Sequence, residues 1–200
     1  MTQSLIIGFD EAGRGPWAGS VFAGAVILNP AKPIEGLTDS KKLTAAKREA
    51  LAKEIRSKAL AWGVGSANAA EVDTVNILQA TFLAMRRALA ALPAGWAARD
   101  CCAWVDGNRD PKLGLPTTLI VKGDATVPAI SAASILAKVA RDAESHAMHL
   151  KYPEYGFDCH KGYGTALHSS NLIKFGALPE HRRSFAPVAR WYAAKQQSNA

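Results

Sequence analysis

The chain has 200 residues, with 24 lysines and arginines against 17 acidic residues and a formal net charge of +7. This length suits one domain with its own core, and a hydrophobic fraction of 48% excludes a disordered chain. No apolar run reaches the roughly 18 residues that a membrane helix needs, and the three cysteines form no CxxC pair. We therefore expect a cytoplasmic protein without a membrane segment, whose positive charge favours a polyanionic partner.

The first half of the chain predicts a hairpin followed by helices and a strand. Apolar runs at 4–9 and 20–28 indicate two strands joined by a glycine-rich loop. Thr44 is a suitable N-cap for the next helix, and residues 61–67 predict a third short strand. Apolar residues at helical spacing over 69–92 indicate one helix or two.

The second half predicts two more strands and then helices. The runs 101–107 and 117–124 indicate strands that finish at carboxylates. Pro128 opens a long helix, and shorter helices are expected at 166–175 and 185–195.

Strands dominate early and helices late, which predicts an α/β fold with a sheet flanked by helices. We expect a core over 1–150 and a C-terminal helical region over 151–200, packed together as one compact unit. The C-terminal region holds seven basic residues against three acids, a net charge of +4. It is therefore the better candidate for a surface that faces phosphate.

Four acidic residues share one context: Asp10, Glu11, Asp106 and Asp124 each lie at or just beyond the end of an apolar run. Asp10 and Glu11 would point to opposite faces of a regular strand, so we expect the backbone to leave regular geometry there. Single acids of this kind are often only turn formers or helix caps. Several crowded carboxylates, however, need cations, and oxygen ligands without Cys or His spacing favour Mg²⁺ or Mn²⁺ over zinc.

Six sequence blocks resemble those of the bacterial ribonuclease HII family, in the expected order. They are GFDEAGRGP, DSKKL, VDGNRDPKL, VKGDATVPAISAASILAKVARD, YGFDCHKGYGT and HRRSFAPV, and they run from Gly8 to Val188. One small departure is Gly164, which stands where many members of the family have proline. The resemblance thus covers almost the whole chain.

The resemblance implies a ribonuclease H-like mixed sheet flanked by helices, with a C-terminal helical region. It implies an endonuclease that cleaves RNA in RNA–DNA hybrids and at single ribonucleotides embedded in duplex DNA, leaving 3'-hydroxyl and 5'-phosphate ends. Two divalent ions, Mg²⁺ or Mn²⁺, would serve as cofactors. The implied catalytic and metal-binding residues are Asp10, Glu11, Asp106 and Asp124. The family also implies a monomer.

The resemblance further implies how the substrate is recognised. Gly13, Arg14 and Gly15 match the segment that senses the ribose 2'-hydroxyl, and Tyr163 matches a tyrosine that packs on the neighbouring sugar. Lys41 is a candidate phosphate contact. On residue type alone, the GRG segment is equally a tight turn and Tyr163 a packed aromatic residue.

For several other residues the sequence leaves more than one interpretation open. Arg182 and Arg183 either line the substrate groove or pin the last helix through ion pairs, and His168 is expected to be a surface or packing residue. Two rival functions also remain: another two-metal nuclease of the same fold class, and a basic domain that binds nucleic acid without cutting it. The four acids argue against the second rival, because carboxylates without cations repel phosphate.

Overall fold

The computed structural model describes residues 4–96 and 100–197. Five strands form one mixed sheet in the order β3-β2-β1-β4-β5. The strands are β1 (Leu5–Ala12), β2 (Val21–Ile27), β3 (Ala61–Ala67), β4 (Cys101–Asp106) and β5 (Thr117–Ile120). β1 is antiparallel to β2 and parallel to β4, so the sheet changes direction at its central strand.

Helices cover both faces of the sheet and make up the C-terminal region. They are α1 (Ala45–Lys58), α2 (Ala69–Ala90), α3 (Gly123–Thr126), α4 (Pro128–Lys151), α5 (Phe157–His160), α6 (Ala166–Phe175) and α7 (Ala186–Gln197). Two short 3-10 turns lie at Ser40–Lys42 and Pro153–Tyr155. None of the helices that the structure describes is long and apolar enough to cross a bilayer.

The predicted elements are present, with differences in detail at β1 and β5. β1 continues in regular pairing through Asp10 and Glu11, because β2 offers Gly24 and Ala23 as partners opposite them. The expected break in strand geometry at the two acids is therefore wrong. β5 stops at Ile120, before the predicted end at residue 124. The region 69–92 holds two helical segments merged across a kink at Asn76, whose φ is 67°.

Close contact between α4 and the sheet sets the position of the first acid. A Cβ built on Gly8 would lie 2.2 Å from the Ala129 carbonyl carbon, and one on Gly24 would lie 2.3 Å from the Ala133 oxygen. Only glycine permits such an approach. The N-terminal half of α4 therefore rests directly on the end of the sheet at which Asp10 lies.

The C-terminal region packs against the start of the chain. Ala18 pairs with His181 in an isolated β-bridge, and Tyr155 and Phe157 form a small core with Ala18 and Met148. α4 runs across the boundary expected between residues 150 and 151. The division into a core and a C-terminal region stays a prediction.

Candidate active site

Two of the four acids lie side by side because β1 and β4 are parallel neighbours. The register pairs Phe9 with Val105, so Asp10 and Asp106 are the next residues on the two strands. Asp10 shares a sheet face with Gly8 and Gly24, the face covered by α4, and is only 5% exposed. The Ser134 hydroxyl of α4 lies near the Asp10 carboxylate and partly offsets the rise in its pKa.

Glu11 lies on the opposite face of the sheet, as regular strand geometry requires. It borders a small cavity lined by Leu78 and Phe82 of α2. Its carboxylate accepts a hydrogen bond of 3.2 Å from the Arg14 guanidinium, which is half exposed. Asp10 and Glu11 thus reach the same end of the sheet from its two faces.

The last two acids are linked by the turn after β5. Asp106 Oδ1 accepts a hydrogen bond of 2.7 Å from the Gly123 backbone N–H at the start of α3. Lys122 adopts the left-handed conformation there, with φ 60°. This turn places Asp124 beside Asp106, and the Ser131 hydroxyl anchors the Asp124 carbonyl at 2.7 Å.

The pKa values show that these acids act on one another. Burial raises the pKa of Asp10 well above its usual range, and the charges of Glu11 and Asp106 raise it further. Burial also raises the pKa of Glu11, which the Arg14 charge partly offsets. The pKa of Asp124 is raised by burial and by Asp106. The four carboxylates therefore form one electrostatic group that a cation would stabilise.

Within the described ranges, no three His, Cys, Asp or Glu side chains have already converged on a common point where a metal ion could sit. Instead, Glu11 accepts a hydrogen bond from Arg14, and Asp106 accepts one from the Gly123 amide. The donors are oxygen atoms only, and neighbouring carboxylates raise the pKa values of Asp10, Glu11 and Asp124. This donor set fits a hard divalent cation such as Mg²⁺ or Mn²⁺.

A fully buried arginine shapes the segment that follows the acids. Arg182 donates hydrogen bonds to four backbone carbonyls in residues 13–19, at 2.6 to 3.0 Å: those of Gly13, Arg14, Pro16 and Gly19. Arg182 is 0% exposed, so it lines no groove and holds the GRG segment from below. Both alternatives that the sequence left open for Arg182 are wrong.

Arg183, the neighbour of Arg182, has a different role. Its guanidinium lies 5.0 Å from the centre of the Tyr192 ring in α7, and its backbone N–H donates to Asp73 at 2.8 Å. It therefore contacts the last helix through a cation–π interaction.

A second buried arginine joins this segment to the loop that carries Tyr163. Arg141 of α4 donates to the Ala18 and Lys161 carbonyls, both at 2.9 Å. Its stem also lies against Gly13, whose φ of +96° is in the left-handed region. Glu144, one turn further along α4, accepts from the Ser20 backbone N–H at 2.9 Å.

Tyr163 lies next to Gly15 and is 48% exposed. A Cβ built on Gly15 would be 3.2 Å from the Tyr163 ring, so the two residues are in contact. The Tyr163 carbonyl hydrogen-bonds His168 Nδ1 at 3.0 Å. The structure thus brings the GRG segment and Tyr163 together.

Behind Tyr163 lie three buried histidines, which pack as a cluster. The rings of His160 and His168 stack at 4.3 Å, and His168 Nε2 hydrogen-bonds His181 Nε2 at 3.0 Å. Burial lowers the pKa of His168 and of His181 to about 4. Both are therefore neutral at pH 7, and the expectation that His168 is a packing residue is confirmed.

Lys41 is exposed in the 3-10 turn Ser40–Lys42, and its charge partly offsets the rise in the pKa values of Glu11 and Asp124. The turn is held by Arg48, whose guanidinium donates to the carbonyls of Ser40 and Leu43 at 3.0 and 2.5 Å. Lys41 therefore lies on the acid side of the molecule.

Sequence reasoning missed the supports of the site. Ser134 lies within the block VKGDATVPAISAASILAKVARD, but the sequence assigned it no role; in the structure it is hydrogen-bonded to Ser40 at 3.0 Å across 94 residues. Arg141 lies in the same block and was likewise assigned no role. A possible signal was the run of small residues in α4, which indicates close packing on the sheet.

The fold and these acids define the ribonuclease H-like class of hydrolases. The sequence profile of the family described as Ribonuclease HII matches residues 7–188, and the chain belongs to this family. The family and the fold class predicted from the sequence are confirmed.

Individual proteins that are similar to this chain are ribonucleases of the same family or fold. The ribonuclease HII of Bordetella pertussis is 58% identical over 190 residues, which cover 95% of this chain and 92% of the relative. The crystal structure of ribonuclease H2 from Pyrococcus horikoshii has a TM-score of 0.77 at 28% identity and covers 96% of this chain and 99% of that one. Bst ribonuclease HIII, solved in complex with Mn²⁺, has a TM-score of 0.77 at 17% identity over 97% of this chain and 71% of that one, which shows the shared fold.

Proposed function

We propose that this protein is a divalent-metal-dependent endonuclease that cleaves the RNA strand of RNA–DNA hybrids. We further propose that it cuts on the 5' side of single ribonucleotides in duplex DNA, leaving 3'-hydroxyl and 5'-phosphate ends, and so begins their removal. The observation that carries the proposal is the meeting of two parts: a group of mutually repelling carboxylates, and the GRG segment with Tyr163 beside it.

The residues that would hold the metal are Asp10, Glu11, Asp106 and Asp124. Two bound ions of Mg²⁺ or Mn²⁺ would activate the attacking water and stabilise the departing oxygen of the phosphodiester. Asp10 is the residue best placed to serve both ions, because it lies on the central strand between Glu11 and Asp106. The nearby Ser134 hydroxyl favours the charged form of the Asp10 carboxylate.

Recognition of RNA requires contact with the 2'-hydroxyl, the group that distinguishes the two sugars. Gly15 is exposed and has no side chain, so a ribose can approach its backbone closely. Tyr163 contacts Gly15 and is half exposed, so its ring is available to pack on the same sugar.

The charges around the site suit a nucleic-acid backbone. Arg14 is half exposed and pairs with Glu11 only through one contact of 3.2 Å, so it can turn towards a phosphate. Lys41 is exposed on the acid side of the molecule, where a phosphate of the duplex would pass. We propose these two residues as phosphate contacts. We also propose that the protein acts as a monomer.

The proposal is tested with a DNA duplex that contains one internal ribonucleotide. We expect a single cut on the 5' side of that nucleotide, dependent on Mg²⁺ or Mn²⁺, and no cut in the all-DNA duplex. The Asp106→Asn variant should be at least about a hundredfold slower, the scale on which removal of one electrostatic group slows catalysis. Glu35→Gln, a change at an exposed loop acid, is the matched control and should keep full activity.

The same assay separates the rivals. Processive digestion from an end, or cutting of the all-DNA duplex, would indicate another two-metal nuclease of this fold. Tight binding without any turnover in either metal would indicate a non-catalytic binding domain and overturn the proposal.

A further inference from the structure

Trp17 lies on the far side of the loop that carries Tyr163, and the proposed reaction does not use it. Its indole covers Gly164 so closely that a Cβ built on Gly164 would lie 2.0 Å from Cζ2 and 2.6 Å from Nε1. Real Cβ atoms are essentially never found under 3.0 Å from another atom. The indole and any side chain at position 164 therefore exclude each other.

The backbone itself does not require glycine at this position. Gly164 has no positive φ, whereas Gly162, two residues earlier, has a φ of +79°. An alanine could adopt the backbone conformation of Gly164 without strain. The need for glycine at 164 comes from the indole alone.

Trp17 contacts the residues on both sides of Tyr163. Its backbone N–H donates to the Gly162 carbonyl at 2.8 Å, and its ring rests on Gly164. The ring also lies 5.3 Å from the ring of His168, which hydrogen-bonds the Tyr163 carbonyl. Its backbone carbonyl accepts a hydrogen bond from the Arg182 backbone N–H at 2.7 Å, so Trp17 contacts the same arginine that hydrogen-bonds the GRG segment.

We propose that Trp17 is a positioning residue that sets the Tyr163 ring against Gly15, and that position 164 is glycine in order to admit the indole. The inference rests on the proposed substrate role of Tyr163. Trp17 does not touch the reacting atoms. It fixes the loop between two points one residue to either side of Tyr163, so that the ring meets the sugar in one orientation.

The test is a double-mutant cycle of Trp17→Ala and Gly164→Ala, with kcat and KM measured on the duplex with one internal ribonucleotide. Gly164→Ala should lower kcat by about tenfold or more, because a methyl group displaces the indole and small displacements near a reacting centre have effects of this size. Trp17→Ala should lower kcat several-fold. The double variant should be no slower than Trp17→Ala alone, since the methyl group then meets no indole. KM should change little, because phosphate contacts dominate duplex binding.

Independent effects that multiply in the double variant would overturn the inference. So would a cycle in which only KM changes. Trp17→Phe should recover most of the lost kcat, because its smaller ring still packs on His168. If Trp17→Ala does not fold, the Trp17→Phe and Gly164→Ala pair gives the same cycle: the smaller ring leaves room for the methyl group, so Trp17→Phe should relieve Gly164→Ala. Failure to relieve it would again overturn the inference.

Tyr163→Ala separates this inference from the proposed function. A wild-type rate for Tyr163→Ala would show that the substrate role of Tyr163 is wrong, and the role of Trp17 falls with it. A slow Tyr163→Ala combined with multiplying effects in the cycle would show that only the role of Trp17 is wrong. In the Tyr163→Ala background, Trp17→Ala should cause no further loss of kcat.

Discussion

The end of the sheet that carries Asp10, Glu11 and Asp106 (the acid edge) and residues 13–19 beside it (the clamped segment) are stabilised in opposite ways. At the acid edge, Asp10 is buried close to two other carboxylates, which raise its pKa. In the clamped segment, Arg182 is equally buried, but four carbonyls accept its hydrogen bonds. We therefore expect electrostatic strain at the acid edge that a bound cation would relieve, whereas hydrogen bonds to Arg182 already hold residues 13–19 in place. We therefore expect mutations at the acid edge to lower mainly activity, and mutations in the clamped segment to lower mainly stability.

The largest effect is expected at Asp10. Asp10→Asn should lower the rate by at least about a hundredfold, because a central charged group is lost. The same change should leave the Tm of the metal-free protein unchanged or higher, because it removes a buried charge that burial and two neighbouring acids disfavour. Thermal unfolding and single-turnover rates on one preparation check both parts. A marked fall in Tm would contradict this view of the edge.

Bound metal should reverse the strain. With Mg²⁺ at ten times its dissociation constant, linkage stabilises the wild type by about 1.4 kcal/mol, or roughly 3 °C in Tm. The Asp10→Asn variant should lose most of this shift. An equal shift in both proteins would place the ion elsewhere.

The second largest effect is expected at Arg182, where we expect a mutation to reduce the stability of the fold. Arg182→Met leaves several buried carbonyls without donors and should reduce the free energy of unfolding by about 2 to 4 kcal/mol. Urea unfolding measures this loss. Arg183→Met, at the exposed neighbour, is the matched control and should cost less than about 1 kcal/mol. Equal losses at the two positions would show that the four carbonyl bonds do not hold the segment.

The two regions should also respond oppositely to pH. An acid whose pKa is raised by folding, such as Asp10, adds stability below its unfolded pKa of about 4, and this is lost as pH rises through the folded pKa. His168 and His181 have folded pKa values of about 4, so their contribution is present above the unfolded value of about 6.5 and is lost as pH falls towards 4. We expect the unfolding free energies of the wild type and Asp10→Asn, measured without metal between about pH 4 and 6.5, to diverge as pH rises. Parallel curves would contradict the prediction.

The smallest effect is expected at Lys41. Lys41→Ala should weaken duplex binding several-fold and reduce the slope of log K against log salt by about one, because one phosphate contact is lost. Lys32→Ala, at another exposed lysine, is the matched control. An unchanged salt slope for Lys41→Ala would remove this residue from the interface.

Most of the fold could be predicted because its signals are local. Apolar runs marked every strand, Thr44 caps α1 through Lys47, and Pro128 begins α4. The errors lay where a distant partner decides the outcome. β1 continues through its two acids because β2 pairs with them, which the run 4–9 alone does not show.

The sequence by itself determined the family and the class of fold and predicted the four acids, since ordered motifs and strand-end carboxylates can be recognised from residue order alone. Tertiary structure alone decided what supports them. Arg182 bonds carbonyls more than 160 residues away, and Trp17 meets Gly164 across the interface of the two loops. Such contacts depend on burial and on distances between remote parts of the chain, which residue type and spacing do not encode. Arg182, which the sequence placed in a groove or in ion pairs with the last helix, is therefore a buried support of residues 13–19.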